Sequence, residues 1–110
     1  MLEQRRYERV AFYCGLEVTV MPDGPTALAR SFDLSLGGVG ITAAMMLNRG
    51  QTVRVRFHLQ KGSNEWTDEE VFGRVAYLCA EEGGNRIGIE FAETIRESTT
   101  PALVRRLNAL

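Results

Sequence analysis

Arginines at positions 5, 6 and 9, in the stretch RRYER, and the run DLSLGG at 33–38 hold the residues whose types and spacing could do chemistry. Arginine presents a planar fork of donors that grips a phosphate bidentately and can stack on a purine face, which lysine does less well. In an extended segment Asp33 and Ser35 point to one face, while Leu34 and Leu36 point to the other. That polar face carries a carboxylate and a hydroxyl, and Gly37 and Gly38 then remove side chains where a ligand or another backbone comes close. Taken alone, the same residues also fit a bulge or barrel corner capped by Asp33 and Ser35, and the arginines fit a solubilising terminus.

The remaining candidates offer less. His58 is the single histidine and stands on the polar side of a strand, so a metal or catalytic site there has to recruit scattered carboxylates or thiols. A surface or hydrogen-bonded histidine is the expectation. The chain contains no G-x-S-x-G, H-E-x-x-H or P-loop pattern. The carboxylates of EWTDEE (65–70) are expected in a solvated turn. Cys14 and Cys79 form neither a C-x-x-C pair nor a dense framework, so reduced core thiols are expected, with a single bridge between them as the other option. An enzyme is not expected.

These candidates must be held by strands. Val10, Phe12, Cys14, Leu16, Val18 and Val20 alternate with polar or small residues, the period-two pattern of a half-buried strand. MPDGP (21–25) turns the chain into a second extended segment from about Thr26 to Leu36. VGIT (39–42), TVRVRFHL (52–59), EEVFGRVAYLC (69–79) and RIGIEFA (86–92) follow as strands, separated by Gly- and Asn-containing turns. The period then changes: Thr100 and Pro101 resemble an N-cap and first helical position, and Leu103, Leu107 and Leu110 share a face with Arg105 and Arg106 turned outward. These elements predict a mainly β domain spanning 1–110: an arginine-rich flexible arm (1–9), an antiparallel β-barrel (10–92) and a short C-terminal helix (100–110). Closure removes the exposed edges that a small open sheet has to manage.

Composition narrows the function. With 110 residues and a net charge of -1, the chain is too small for a two-domain cleft enzyme and lacks the basic surplus of a general nucleic-acid or anionic-membrane binder. Any anion site is local. Arg54 and Arg56 hint at a groove for single-stranded nucleic acid, but overall charge and the lack of aromatic neighbours disfavour it. No apolar leader or membrane-length apolar run occurs, so a cytoplasmic protein without membrane insertion is expected.

Arg5-x-x-x-Arg9 followed by Asp33-x-Ser35-x-x-Gly38 resembles the paired signature of the PilZ domain family, R-x-x-x-R and then D/N-x-S-x-x-G, in the same order. GGVGI (37–41), GRVAYL (73–78), with Tyr77 at an aromatic position, and RIGIEF (86–91) are similar to later family segments, so the resemblance covers nearly the whole chain. It implies a six-stranded antiparallel barrel with a terminal helix, and a bacterial receptor for the second messenger cyclic di-GMP. It further implies that Arg5 and Arg9 hold phosphate and guanine, with Arg6 as an accessory contact. Asp33 would accept from guanine or orient an arginine, Ser35 would offer its hydroxyl, Gly38 would let the base approach, and Tyr77 would stack on a base or pack on the barrel. Gln4, just before the arginines, leans toward a stacked ligand pair because it does not block a second molecule. No cofactor is implied beyond this ligand, and output passes to an unidentified downstream effector protein. The alternative within the family is a ligand-independent adaptor between proteins.

Overall fold

Seven strands and one helix follow in chain order: β1 (Val10–Ala11), β2 (Gly15–Val20), β3 (Thr26–Ser35), β4 (Gly38–Ala43), β5 (Thr52–Gln60), β6 (Trp66–Glu81), β7 (Gly84–Phe91) and α1 (Pro101–Asn108). The computed structural model describes residues 7–109. Every strand pairing is antiparallel, and the order β3-β2-β5-β6-β7-β4 closes on itself through a β3–β4 ladder. The result is the expected six-stranded barrel with a C-terminal helix, and β1 is an extra short strand on β3. Inward residues of all six barrel strands, among them Leu16, Leu34, Ile41, Val55, Val75 and Ile89, fill one core.

The stretch 10–20, expected as one strand, is interrupted. Pairing runs Ala11 with Asp33 but resumes at Gly15 with Arg30, a one-residue change of register. Between them the buried Ser31 hydroxyl accepts the Cys14 N–H at 2.9 Å and donates to the Phe12 carbonyl at 2.7 Å. A side chain thus replaces ladder bonds that buried backbone cannot leave unmade. Phe12 and Cys14 still point into the core, as the alternation requires.

Strand β6 departs most from expectation. Most of EWTDEE is strand rather than solvated turn, because β5 pairs it residue by residue as far as Gln60 with Trp66. Glu69 lies opposite Phe57, whose side chain is fully buried, and so falls on the inward-facing side of its strand. Its two carboxylate oxygens accept the N–H groups of Ala102 (2.8 Å) and Leu103 (2.9 Å) at the start of α1. A charge on the inner face is tolerated because it meets orphan donors and the positive end of the helix dipole. Thr100 stands at the N-cap position but makes no capping bond there. Its hydroxyl donates to the Arg96 carbonyl and accepts the Arg96 N–H. Replacing Glu69 with alanine is expected to lower stability by about 1–2 kcal/mol, as loss of an N-cap does, read by urea denaturation.

The helix buries Leu103 in the barrel core, with Ala102, Val104 and Leu107 against it. Arg106, expected to turn outward, instead places its guanidinium 5.6 Å from the centroid of the Phe12 ring and donates to the Gln60 carbonyl. Leu110 lies outside the described residues. The two cysteines also part company: Cys14 is a free core thiol whose pKa burial pushes up, whereas Cys79 is free and exposed on β6.

Candidate functional site

A bulge in β3 aims the site. Ser31 pairs with Ile41 but Asp33 with Gly40, so Phe32 is the extra residue. The bulge therefore lies one residue before DLSLGG, and it lets Ser31 face inward while Asp33 faces out. Asp33 Oδ1 accepts from Arg9 Nη1 at 2.9 Å and from the Gly40 N–H at 3.0 Å. Both side chains are about one-fifth exposed, so the pair is sheltered yet still open to solvent. The R-x-x-x-R arginine and the D-x-S-x-x-G aspartate, 24 positions apart in sequence, thus meet as a hydrogen-bonded ion pair.

From Asp33 a single rung runs across the outer face. Asp33 pairs with Gly40 on β4, Gly40 with Gly88 on β7, and Gly88 with Tyr77 on β6. A second bulge, at Ala76, leaves Tyr77 outward beside inward Val75. The two glycines are needed because aromatic rings occupy the space above them: a Cβ on Gly40 would sit 2.5 Å from Phe32, and one on Gly88 would strike the Tyr77 ring. Tyr77 stays 42% exposed, so its outer ring face is open. The Arg86 guanidinium lies 4.3 Å from the Phe32 ring centroid, a cation–π contact. The rung is a shelf of two aromatic rings with a carboxylate and arginine at one end, chemistry that can hold a flat base and its phosphate.

The turn between β3 and β4 uses the other motif residues. Ser35 is buried, and its hydroxyl accepts the Gly37 N–H at 3.2 Å and donates to the Gly38 carbonyl at 3.5 Å. A Cβ on Gly38 would lie 2.5 Å from the Ile89 carbonyl oxygen of β7, so here it is neighbouring backbone that comes close. A Cβ on Gly37 would meet the Tyr7 ring at 2.7 Å, which seats the end of the arm on this turn. Gln4, Arg5 and Arg6 lie outside the described residues.

Phe32, Gly40, Gly88 and Arg86 are the shelf residues that sequence reasoning missed. The alternation that turns Ile87, Ile89 and Phe91 inward puts Arg86, Gly88 and Glu90 outward, but only the register brings Gly88 between Gly40 and Tyr77 and Arg86 opposite Thr42.

The opposite wall, β2–β5–β6, is neutralised. Arg54 and Arg56 both pair with Glu70, and His58 contacts Asp68 (2.9 Å) and Glu17 (3.3 Å). A basic groove for nucleic acid is therefore absent at these arginines, and among the described residues no group of three His, Cys, Asp or Glu side chains is arranged to hold a metal. The hydrogen bond to Asp68, reinforced by the charges of Asp68 and Glu17, raises the His58 pKa above its ordinary 6.5 despite some desolvation. A group whose folded pKa is raised stabilises the fold fully below its unfolded pKa, and that contribution is lost as pH rises through the folded value. His58→Gln should therefore cost more stability at about pH 5.5 than at about pH 8, measured by urea denaturation at each.

Residues 3–109 match the PilZ domain, and the chain belongs to the PilZ domain family. Its fold is similar to the PilZ domain of YcgR from Escherichia coli, solved with c-di-GMP, at TM-score 0.74 and 20% identity, covering 98% of this chain and 92% of that one. It is also similar to the Bacillus subtilis inhibitor of motility MotI/DgrA at TM-score 0.72 and 16% identity, covering 97% of this chain and 53% of that one. A third likeness, to MrkH of K. pneumonia in its c-di-GMP complex, has TM-score 0.69 and 12% identity, covering 98% of this chain and 53% of that one. The chain thus spans about half the length of the latter two proteins. No curated protein matches the sequence. Among the described residues no helix is long and apolar enough to cross a membrane.

Proposed function

We propose that this protein is a receptor for cyclic di-GMP, bound between the arginine-rich arm and the outer face of β3, β4, β7 and β6, and that it relays the bound state to a partner protein. The contact of Arg9 with Asp33 carries the reading, because it joins the two halves of the family signature at one exposed face. The similarity to PilZ domains solved with c-di-GMP supports the choice of ligand. In this reading Arg5, Arg6 and Arg9 hold the phosphodiesters and a guanine face, and Asp33 orients Arg9 and accepts from guanine N–H groups. Tyr77 offers a ring for stacking. Ser35 and Gly38 act by holding the turn against which Tyr7 is seated.

Each charge-assisted hydrogen bond contributes roughly 1.5–3 kcal/mol, and ordering each arm residue costs about 1–2 kcal/mol of backbone entropy. Micromolar affinity, about -8 kcal/mol, therefore needs several contacts from both walls together. The ligand would thereby fasten the arm to the barrel and create a composite surface for the effector. Calorimetric titration of the protein with cyclic di-GMP, against GTP and a linear dinucleotide as controls, tests the reading. Saturable binding of the cyclic dinucleotide alone is expected. No heat and no thermal shift with it would leave the ligand-independent adaptor as the better account.

A further inference from the structure

The outer face carries a second cationic feature next to the proposed site. Arg30 on β3 pairs with Thr42 on β4, and Thr42 pairs with Arg86 on β7. All three side chains are exposed and flanked by buried inward neighbours, so they stand in one outward row. This row lies two residues along β4 and β7 from the rung of Gly40 and Gly88. With strands about 4.8 Å apart, the two arginine Cα atoms are about 10 Å from each other, and their side chains can converge above Thr42.

The charge of this row is not offset by neighbouring carboxylates among the described residues. Arg9, Arg54, Arg56, Arg74 and Arg96 each have a carboxylate within salt-bridge distance. Among the described residues neither Arg30 nor Arg86 has one. Two cations flanking one hydroxyl on a sheet, in a chain of net charge -1, repel each other and call for an anion. Phe32 holds Arg86 in place by its ring, which lowers the entropy lost when the guanidinium takes a ligand.

We infer that Arg30, Thr42 and Arg86 form a phosphate subsite, distinct from the Arg9–Asp33 pair, in which the two guanidiniums and the Thr42 hydroxyl donate to one phosphate group. The identity of the phosphate carrier as a phosphodiester of cyclic di-GMP rests on the function proposed above. The subsite itself rests on the row. It extends the ligand's footprint along β4 and favours a dinucleotide, whose second phosphate reaches the row, over a mononucleotide.

The test has two arms, run on the full chain and on Arg30→Gln, Arg86→Gln and the double variant, with folding checked by circular dichroism. In the first arm, sodium pyrophosphate is titrated while the arginine Nε–Hε resonances are followed by NMR. Saturable shifts at Arg30 and Arg86 are expected, weakened in each single variant and lost in the double variant. In the second arm, cyclic di-GMP is titrated by calorimetry, and each single variant is expected to bind about tenfold more weakly, equivalent to about 1.4 kcal/mol. Pyrophosphate leaving both arginines unshifted, or the double variant binding cyclic di-GMP as the wild type does, would overturn the subsite. Shifts with pyrophosphate but no binding of cyclic di-GMP to the wild type would uphold the subsite and remove the messenger as its ligand.

Discussion

Arg9→Ala is expected to weaken cyclic di-GMP binding at least tenfold while the barrel stays folded. Among the described residues the arginine makes a charge-assisted bond to Asp33 at 2.9 Å through one Nη1 donor, and its other donors would serve a phosphate or a guanine edge. Removing it deletes those donors and leaves Asp33 without its cation, which disfavours an anionic ligand at the same place. The loss exceeds about 1.4 kcal/mol, the tenfold mark, because one such bond alone contributes roughly 1.5–3 kcal/mol. Asp33→Ala should lose at least as much, since Asp33 also accepts the Gly40 N–H and so ties β3 to β4 beside the bulge. Asp33→Asn keeps an acceptor for that N–H and should lose less. Calorimetry on the four proteins, with denaturation curves beside it, separates binding from folding. Wild-type affinity in Arg9→Ala or Asp33→Ala would sink the site assignment.

The second large effect concerns Gly38. A Cβ there would stand 2.5 Å from the Ile89 backbone carbonyl oxygen of β7, and a strand paired on both sides in a closed barrel has little room to retreat. Gly38→Ala is therefore expected to lower stability by about 2–3 kcal/mol, the upper part of the range for overpacking, measured by urea denaturation. That is a large share of the roughly 5–15 kcal/mol that holds an ordinary domain. Gly15→Ala is the control. Nothing lies within 4 Å of its Cβ position and its φ is not positive, so the change should be neutral or slightly stabilising. If Gly38→Ala were as stable as the wild type yet bound cyclic di-GMP more weakly, the glycine would serve the ligand and not the packing.

Period-two alternation was enough to place most strands, because a half-buried sheet demands it at every second residue whatever the topology. TVRVRFHL reads as a strand and is one, and DLSLGG reads as a departure from one. Alternation does not reveal a break in strand pairing where a side chain substitutes for ladder bonds, as Ser31 does between β1 and β2. Local reading also misses a charge run that is claimed by a distant partner. Glu69 reads as solvated because nothing nearby in sequence says that α1 will bring two unpaired N–H groups to it.

The chemistry of the candidate site divides in the same way. Residue types and order alone determined that two arginines spaced R-x-x-x-R precede a carboxylate, a hydroxyl and paired glycines in a mainly β chain, and that its family is the PilZ domain. Only the tertiary structure decided where each stands, because their arrangement depends on register across four strands. It set Arg9 against Asp33, turned Ser35 and Gly38 to the support of a tight turn, and laid Phe32 and Tyr77 over Gly40 and Gly88. It also left Arg30 and Arg86 flanking Thr42. One-residue bulges at Phe32 and Ala76 make these alignments. A bulge moves every later side chain relative to its neighbour strand, and a single chain read in isolation has no neighbour strand to be displaced against.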